Sequence, residues 1–497
     1  MVNKYTLQNH KTYLLLIFFL VSFFGNAQIG IGTITPNASS ILEISSTSQG
    51  LLTPRMTTAE RTAIASPADG LIVYDTTLKS FYYYISTTST WTLVNSGTAP
   101  RLNFKRIRAG DNLAVVLATE LAAGSGAKYV LTANTLYEIN GQITFNFPID
   151  LNTAYMAGLD ANEDILVKTS GFLFDGTTGG SLKNLTITTP GATVFNLNAA
   201  SATSTFLLRD TIIANSASVG TIAGYGLAFL SIVNFSGNTN GITYTNIGQL
   251  LLSNQAWFSN NSGTYEKFTG TFNLIEKQGG FSNVNTGAFG LDVSTAGLTI
   301  TGDAILESVV FSGPTPANYV KPYTTGTYTG YNFNNSWTVR AAGIPTEADA
   351  NAVGDFSMDY AVGSGASTAF SNTNPSTSVK VLGTSASMNL FRFSTDGGLN
   401  NRLKYLGKKK RIFQVAGSIS FQVPAVGTYI IYIAKNGAII SQYKIYGRGL
   451  AANDIIVLPL NASVELTNND YVEVYAQRYT GGTNDAIIVP NMTVTIR

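Results

Sequence analysis

The sequence predicts an all-β chain: a right-handed parallel β-helix followed by an antiparallel jelly-roll sandwich, behind a small α+β N-terminal module. Three observations predict it. The 497 residues are 44 % hydrophobic but only 12 % charged, with 48 glycines, 25 tyrosines and 27 phenylalanines. That composition suits repetitive β-structure and not helical bundles. Apolar bursts recur at a fixed spacing through the middle of the chain, and apolar/polar alternation around an Asn-Gly turn marks its last third.

Residues 1–27 read as a secretory signal. Lys4 and Lys11 supply the positive start, Tyr13 to Phe24 is apolar apart from Ser22, and Gly25-Asn26-Ala27 precedes a cleavage point at Gln28. An apolar run this short is below the roughly 20 residues of a spanning helix. No membrane insertion is therefore expected after signal removal, and the absence of cysteine excludes a lipoprotein anchor. The signal also carries the one histidine, His10. The mature chain then has neither imidazole nor thiol, which excludes histidine-dependent triads, cysteine nucleophiles, zinc sites of the cysteine or histidine type and disulfides. No cofactor is expected. Removing two lysines from 30 basic residues leaves 28 against 28 acidic ones. A neutral chain is a poor partner for nucleic acid, whose phosphates are met by cationic surfaces.

Residues 28–97 form an N-terminal adaptor module. It opens Ile29-Gly30-Ile31-Gly32-Thr33 and continues with Ile41, Leu42 and Ile44. Thr57 and Glu60 have the spacing of a capping box for a short helix, and Asp69-Gly70 leads into a hairpin of Leu71–Tyr74 with Ser80–Ile85. The string GLLTPRMTTAERTAIASPADGLIVYDTTLKSFYYY resembles a module near the N-terminus of secreted Bacteroidota proteins and in tail-fibre proteins of their phages. The resemblance implies a base or adaptor on an exported or virion-associated fibre, and no chemistry.

Residues 98–127 read as a linker and a short helix. Arg101, Lys105, Arg106 and Arg108 form a basic patch there that reads as a solvated face. From 128 to 312, β-branched and aromatic runs alternate with Asn, Gly, Ser and Thr, and Leu185, Leu207, Phe229 and Leu251 are each 22 apart. Self-similarity at that length with strand propensity is a solenoid signal. Asn184, Asn234, Asn254, Asn260, Asn261, Gly237, Gly241 and Gly263 are its corner candidates, because both residue types tolerate left-handed backbone. The strings YVLTANTLYEINGQI and GSLKNLTI resemble the solenoid part of phage tail spikes.

Residues 313–360 carry no readable period and are assigned as a connector. Residues 361–497 are assigned as the jelly roll: Phe413, Val415, Ile419, Phe421 and Val423 alternate with polar partners, and Asn436-Gly437 joins TYIIYIAK to AIISQYKIY. These strands resemble tumour-necrosis-factor-like jelly rolls that end phage and other surface fibres. That resemblance implies a homotrimer.

Candidate chemistry falls in two groups. Arg392, Arg402, Lys404, Lys408, Lys409, Lys410 and Arg411 crowd into one short stretch, opposed within it only by Asp396. They fit either an anionic-glycan contact or a solvated turn between two strands. An enzyme would need two carboxylates about 5 to 9 Å apart; Asp150, Asp160, Glu163, Asp164, Asp175, Asp210, Glu266, Glu276, Asp292, Asp303 and Glu307 are available, and no spacing selects a pair. Lys183 and Arg209 are candidate lyase bases. The Asp160–Asp164 string has oxygen ligands for calcium but lacks the glycine and terminal glutamate of a loop built for it.

The expectation is a secreted, homotrimeric fibre or spike, extracellular or on a cell surface, virion association included. It would bind a cell-surface glycan or receptor. The competing expectation is a depolymerising spike, a glycosidase or lyase working along the β-helix.

Overall fold

The computed structural model describes residues 12–14, 28–94, 101–398, 401–481 and 485–497. The signal-peptide reading and the linker at Ser96–Pro100 fall outside them, apart from a helical turn at 12–14. The chain divides into two compact units, Met1–Pro100 and Arg101–Arg497.

In the first unit Ile29–Ile31 pairs in parallel with Leu42–Ile44. Thr57 and Glu60 form the capping box expected, starting the helix Thr58–Thr62. Ile72–Asp75, Ser80–Ile85 and Thr90–Leu93 make an antiparallel sheet. Beneath it the buried Arg61 pairs with Asp75 at 2.9 Å and lies 4.1 Å from the Tyr82 ring. Val73 is the only fully buried apolar side chain among the described residues of this unit. Ile34 and Ile41 are 99 % and 80 % exposed, and Ile29, Ile31, Leu42, Leu51 and Leu52 are exposed too.

The second unit begins with a parallel β-helix. One ladder runs through ten strands: Phe104–Arg108, Leu136–Asn140, Tyr155–Ala157, Gly180–Lys183, Thr205–Ala214, Leu227–Ser236, Gln249–Trp257, Thr271–Asn283, Thr299–Ser312 and Trp337–Ala342. Nine steps of about 4.8 Å make a shaft about 43 Å long. A second face continues the long strands past a corner, and a third is a nine-stranded ladder from Tyr129–Val130 to Val320–Lys321. A single apolar core fills the interior from Ile107 to Val339.

The ladder runs past residues 128–312 at both ends, for a physical reason at each. Phe104–Arg108 lies in register on Leu136–Asn140, and the helices Leu113–Val116 and Ala118–Ala123 close the open end by inserting Leu113 and Leu117. Lys105 of the basic patch pairs there with the buried Glu120 at 2.6 Å. At the far end Trp337–Ala342 makes a last rung behind a long excursion. Leu207, Phe229 and Leu251 stand one above another at equal steps, but the next members of their column, Glu276, Ile305 and Thr338, follow after progressively longer loops. Leu185 is not in this column. The residue opposite Leu207 on the preceding rung is Ser181. Leu207, Phe229 and Leu251 also face outward and half-buried, while Leu185 and the neighbours Phe206, Leu208, Leu230 and Leu250 fill the core at 0 % exposure.

The corner after the first face is left-handed on six successive rungs: Asn184, Asp210, Ile232, Asn254, Gly279 and Ser308 have φ between 49° and 67°. Asn254, Asn184, Gly237 and Gly263 are thus corners as expected, while Asn234 lies within a strand. Asn261 has a different role. It is buried, its carboxamide oxygen accepts from the Asn238 backbone N–H (2.8 Å) and side chain (3.0 Å), and its amide donates to the carbonyls of Phe235 and Phe258. Asn261→Ala is expected to lower stability by about 3 kcal/mol, because buried donors and acceptors lose partners that no water replaces. Urea unfolding of the full chain measures it.

The remainder is a two-layer antiparallel sandwich. Gly354–Asp359, Ala486–Ile496, Arg411–Gln422 and Ile455–Leu466 form one sheet, and Phe393–Ser394, Arg402–Tyr405, Tyr471–Thr480, Gly427–Lys435 and Ile445–Gly449 the other. Phe413, Val415, Ile419, Phe421 and Val423 are wholly buried between them, as their alternation predicts. Asn436 and Gly437 both take positive φ, which a tight hairpin turn requires.

Candidate functional site

The seven clustered basic residues are drawn into contacts within the chain. Arg392 is 1 % exposed and reaches across to the end of the shaft, donating to Asn335 Oδ1 (2.9 Å) and to the carbonyls of Trp337 (2.5 Å), Asn334 (3.3 Å) and Glu347 (3.4 Å). Asp349 lies 3.4 Å from its Nε and also accepts the backbone N–H groups of Lys408 and Lys409. Lys408 pairs with Asp303 of the shaft at 3.0 Å, Lys410 with Glu465 at 3.2 Å, and Arg402 and Lys404 with Asp396. Arg411 donates to the Asp349 carbonyl and covers the Phe413 ring. Among the described residues, only the Lys409 ammonium of the seven has no partner of these kinds. The cluster is a joint between shaft and sandwich, and what the sequence window hides is its counter-charge, brought from Asp303, Asp349 and Glu465.

Glu347 sits in the same joint, fully buried, accepting the N–H groups of Asn332 and Phe333 at 2.6 and 2.9 Å. Burial pushes its carboxyl up to about 7, against the lowering effect of those N–H groups and of Arg392. The sign follows directly. The folded state holds this proton more tightly than the unfolded chain, so the stability it contributes is complete below the ordinary glutamate value and is lost as pH rises through about 7. Unfolding midpoints of the full chain are expected to fall over that window, and Glu347→Gln to flatten the fall.

Most of the candidate carboxylates are also engaged. Asp164 accepts the backbone N–H groups of Gly141, Leu159 and Asp160 at 2.7 to 3.0 Å, and Asp160 accepts that of Asn162, so the acidic string is a turn held by its own side chains. Glu266 pairs with Lys277 inside the core, Asp150 with Lys128, Asp292 with Lys321 and Glu307 with Arg340; Asp175 accepts from Asn196. Among the described residues Glu163, Asp210 and Glu276 keep free carboxylates. Glu276 is three rungs from Asp210, at least about 14 Å along the shaft, too far for paired hydrolysis, and Glu163 lies in the Asp160–Asp164 turn, outside the strand register. Among the described residues no group of three His, Cys, Asp or Glu side chains could hold a metal ion.

The first face of the shaft carries a groove of about 380 Å³, lined by Asn134, Thr153, Tyr155, Ser181, Thr205 and Leu207 among others. Tyr155, Ser181 and Leu207 stand in one register column, and Tyr155 is 49 % exposed. Gly179 lets the rungs approach closely, since a Cβ there would come within 2.2 Å of the Thr205 carbonyl. Two residues further along the same strands, Lys183 and Arg209 stack on adjacent rungs, and neither has an ion-pair partner among the described residues. Like charges stacked this way repel, and an anion between them relieves the repulsion. The groove was hidden in the sequence by its period: from Tyr155 to Ser181 to Leu207 the column advances by a longer step than the one that carries it on to Phe229 and Leu251.

Residues 30–105 match the family described as "Phage tail like trimerisation region". No curated protein matches the chain. Among solved structures it is similar to the tailspike protein of Acinetobacter baumannii phage AM24, at 11 % identity and TM-score 0.29, over 88 % of this chain and 93 % of that one. It is also similar to the full-length tailspike protein 2 of the Escherichia coli O157:H7 bacteriophage CAB120, at 11 % identity and TM-score 0.28, over 89 % and 80 %. Eiger TNF from S. frugiperda is matched at 8 % identity and TM-score 0.20, over 29 % of this chain and 92 % of that one. In this chain a match to a phage-tail-like trimerisation region is thus followed by a parallel β-helix.

Proposed function

We propose that the chain is an exported, homotrimeric spike-type surface protein whose shaft binds an anionic cell-surface polysaccharide without cleaving it, and whose terminal sandwich is a jelly roll. The observation that carries the binding is the Tyr155 groove beside the unpaired Lys183–Arg209 stack. An exposed aromatic ring among hydroxyl and amide side chains accepts the apolar face and hydroxyls of a sugar, and two uncompensated cations favour an acidic one. The matched trimerisation region supports the homotrimer. The reading places the protein outside the cell, on a bacterial surface or a virion.

Immobilised acidic polysaccharide, with a neutral dextran as control, tests this. Binding of the full chain to the acidic polymer alone, weakening with salt and falling at least tenfold in Lys183→Ala/Arg209→Ala, is the expected result. Equal retention on both polymers, or no retention on either, overturns it. The second reading, cleavage, is favoured by the free carboxylates of Glu163 and Asp210, the latter next to Arg209 on its strand. It predicts new reducing ends in the incubated polymer that disappear in Glu163→Gln and Asp210→Asn; unchanged polymer length removes it.

A further inference from the structure

The three faces of the shaft differ in what they turn outward. The third face presents Asn196, Thr221, Thr243 and Lys267 in one column, a surface suited to water. The first presents the groove, whose column continues through the half-buried Leu207, Phe229 and Leu251, and, beside it, the polar column of Lys183, Arg209, Ser231, Ser253 and Gln278. The second face and its corner carry exposed apolar groups. One column runs Ile212, Asn234, Ala256, Phe281 and Val310, with Ala256 buried, Ile212 and Phe281 half-buried and Val310 46 % exposed; Phe258 is 40 % exposed and packs edge-on against Phe281 at 5.2 Å, and Ile232 at the adjoining corner is 48 % exposed.

We infer that this second face is the seam along which copies of this chain pack against one another. Ile232 is the most telling residue. At φ 55° it holds a β-branched side chain in left-handed backbone, where the five other rungs place Asn, Asp, Gly or Ser. Its own chain leaves that side chain half in solvent, so packing within the protomer does not offset the strain in full. A packed partner does. The occupant is a second copy because the trimerisation match reaches residue 105, inside the first rung at Phe104–Arg108, so chains gathered there enter the shaft at the same rung. From that rung every later one is fixed in register, and Ile232, Phe258 and Val310 are presented alike by each copy. The inference rests on the homotrimer proposed above.

The chain has no cysteine, which makes accessibility directly measurable. Phe258→Cys, Val310→Cys and, on the third face, Thr221→Cys are each introduced singly into the full chain and labelled with a water-soluble maleimide. In the assembled protein the first two are expected to react at least tenfold more slowly than the third, with all three equal after denaturation. Ile232→Asn, which any rung accommodates, is expected to keep the fold and raise the protein concentration at which the assembly dissociates at least tenfold. Equal labelling rates in a protein that sediments as a trimer overturn the seam and leave the trimer standing. Sedimentation as a monomer overturns both.

Discussion

Replacing Arg392 with alanine is expected to destabilise the shaft–sandwich unit by about 3–5 kcal/mol, the range for breaking a buried charge out of its network. The guanidinium is almost wholly enclosed: its two terminal nitrogens donate to three backbone carbonyls and to Asn335, and Asp349 stands 3.4 Å from Nε as its counter-charge. Without it those carbonyls lose their donor, and Asp349 keeps its charge beside the joint with only the Lys408 and Lys409 N–H groups to hold it. Arg392→Lys is expected to recover little, because one ammonium cannot span carbonyls that a planar fork reaches on both sides. Backbone adds a second reason: Arg392 has φ 60°, so the position is already strained and held by its contacts. Guanidinium unfolding and limited proteolysis between residues 343 and 353 measure the effect. A midpoint unchanged within error would show that the sandwich does not depend on the shaft.

That joint also marks the boundary between what the sequence discloses and what it hides. Local chemistry is legible: the Thr57–Glu60 capping box, the positive-φ Asn436-Gly437 turn and the alternation from Phe413 to Val423 each depend on residues a few positions apart. The solenoid is legible where equal steps join residues of one apolar kind, as between Leu207, Phe229 and Leu251, and not where they join Tyr155, Ser181 and Leu207. A slightly longer loop shifts the whole next rung, which is why Leu185 matches by number and Ser181 matches in space. Long-range electrostatics are hidden altogether. Arg392 to Arg411 reads as an uncompensated positive stretch because Asp303 lies 105 residues before Lys408, and no windowed reading of charge can join them. The buried Lys277–Glu266 pair is hidden differently: the two are only 11 residues apart, but their side chains come from two different faces of the shaft and meet inside it.

The other large effect is expected in the N-terminal module, from what it lacks. A chain segment of this size needs an apolar interior, yet the described part of this unit buries Val73 alone and leaves the Ile29–Ile31 and Leu42–Ile44 pair facing out. Its internal ties are polar and local: the capping box, the Arg61–Asp75 pair and the strand ladder. Burial of each leucine or isoleucine between copies contributes about 2 kcal/mol, and in a trimer every substitution is made three times. Ile31→Asp with Leu42→Asp in the full chain is therefore expected to raise the trimer dissociation constant more than a thousandfold. Sedimentation velocity across a range of micromolar concentrations reads it. The contrast with a shaft-face pair such as Thr221→Asp with Thr243→Asp, which adds the same charge on a wet surface, separates loss of packing from mere repulsion. Unchanged sedimentation of the Ile31/Leu42 variant would mean that shaft and sandwich hold the copies by themselves, and that the exposed isoleucines of the module face something other than its own kind.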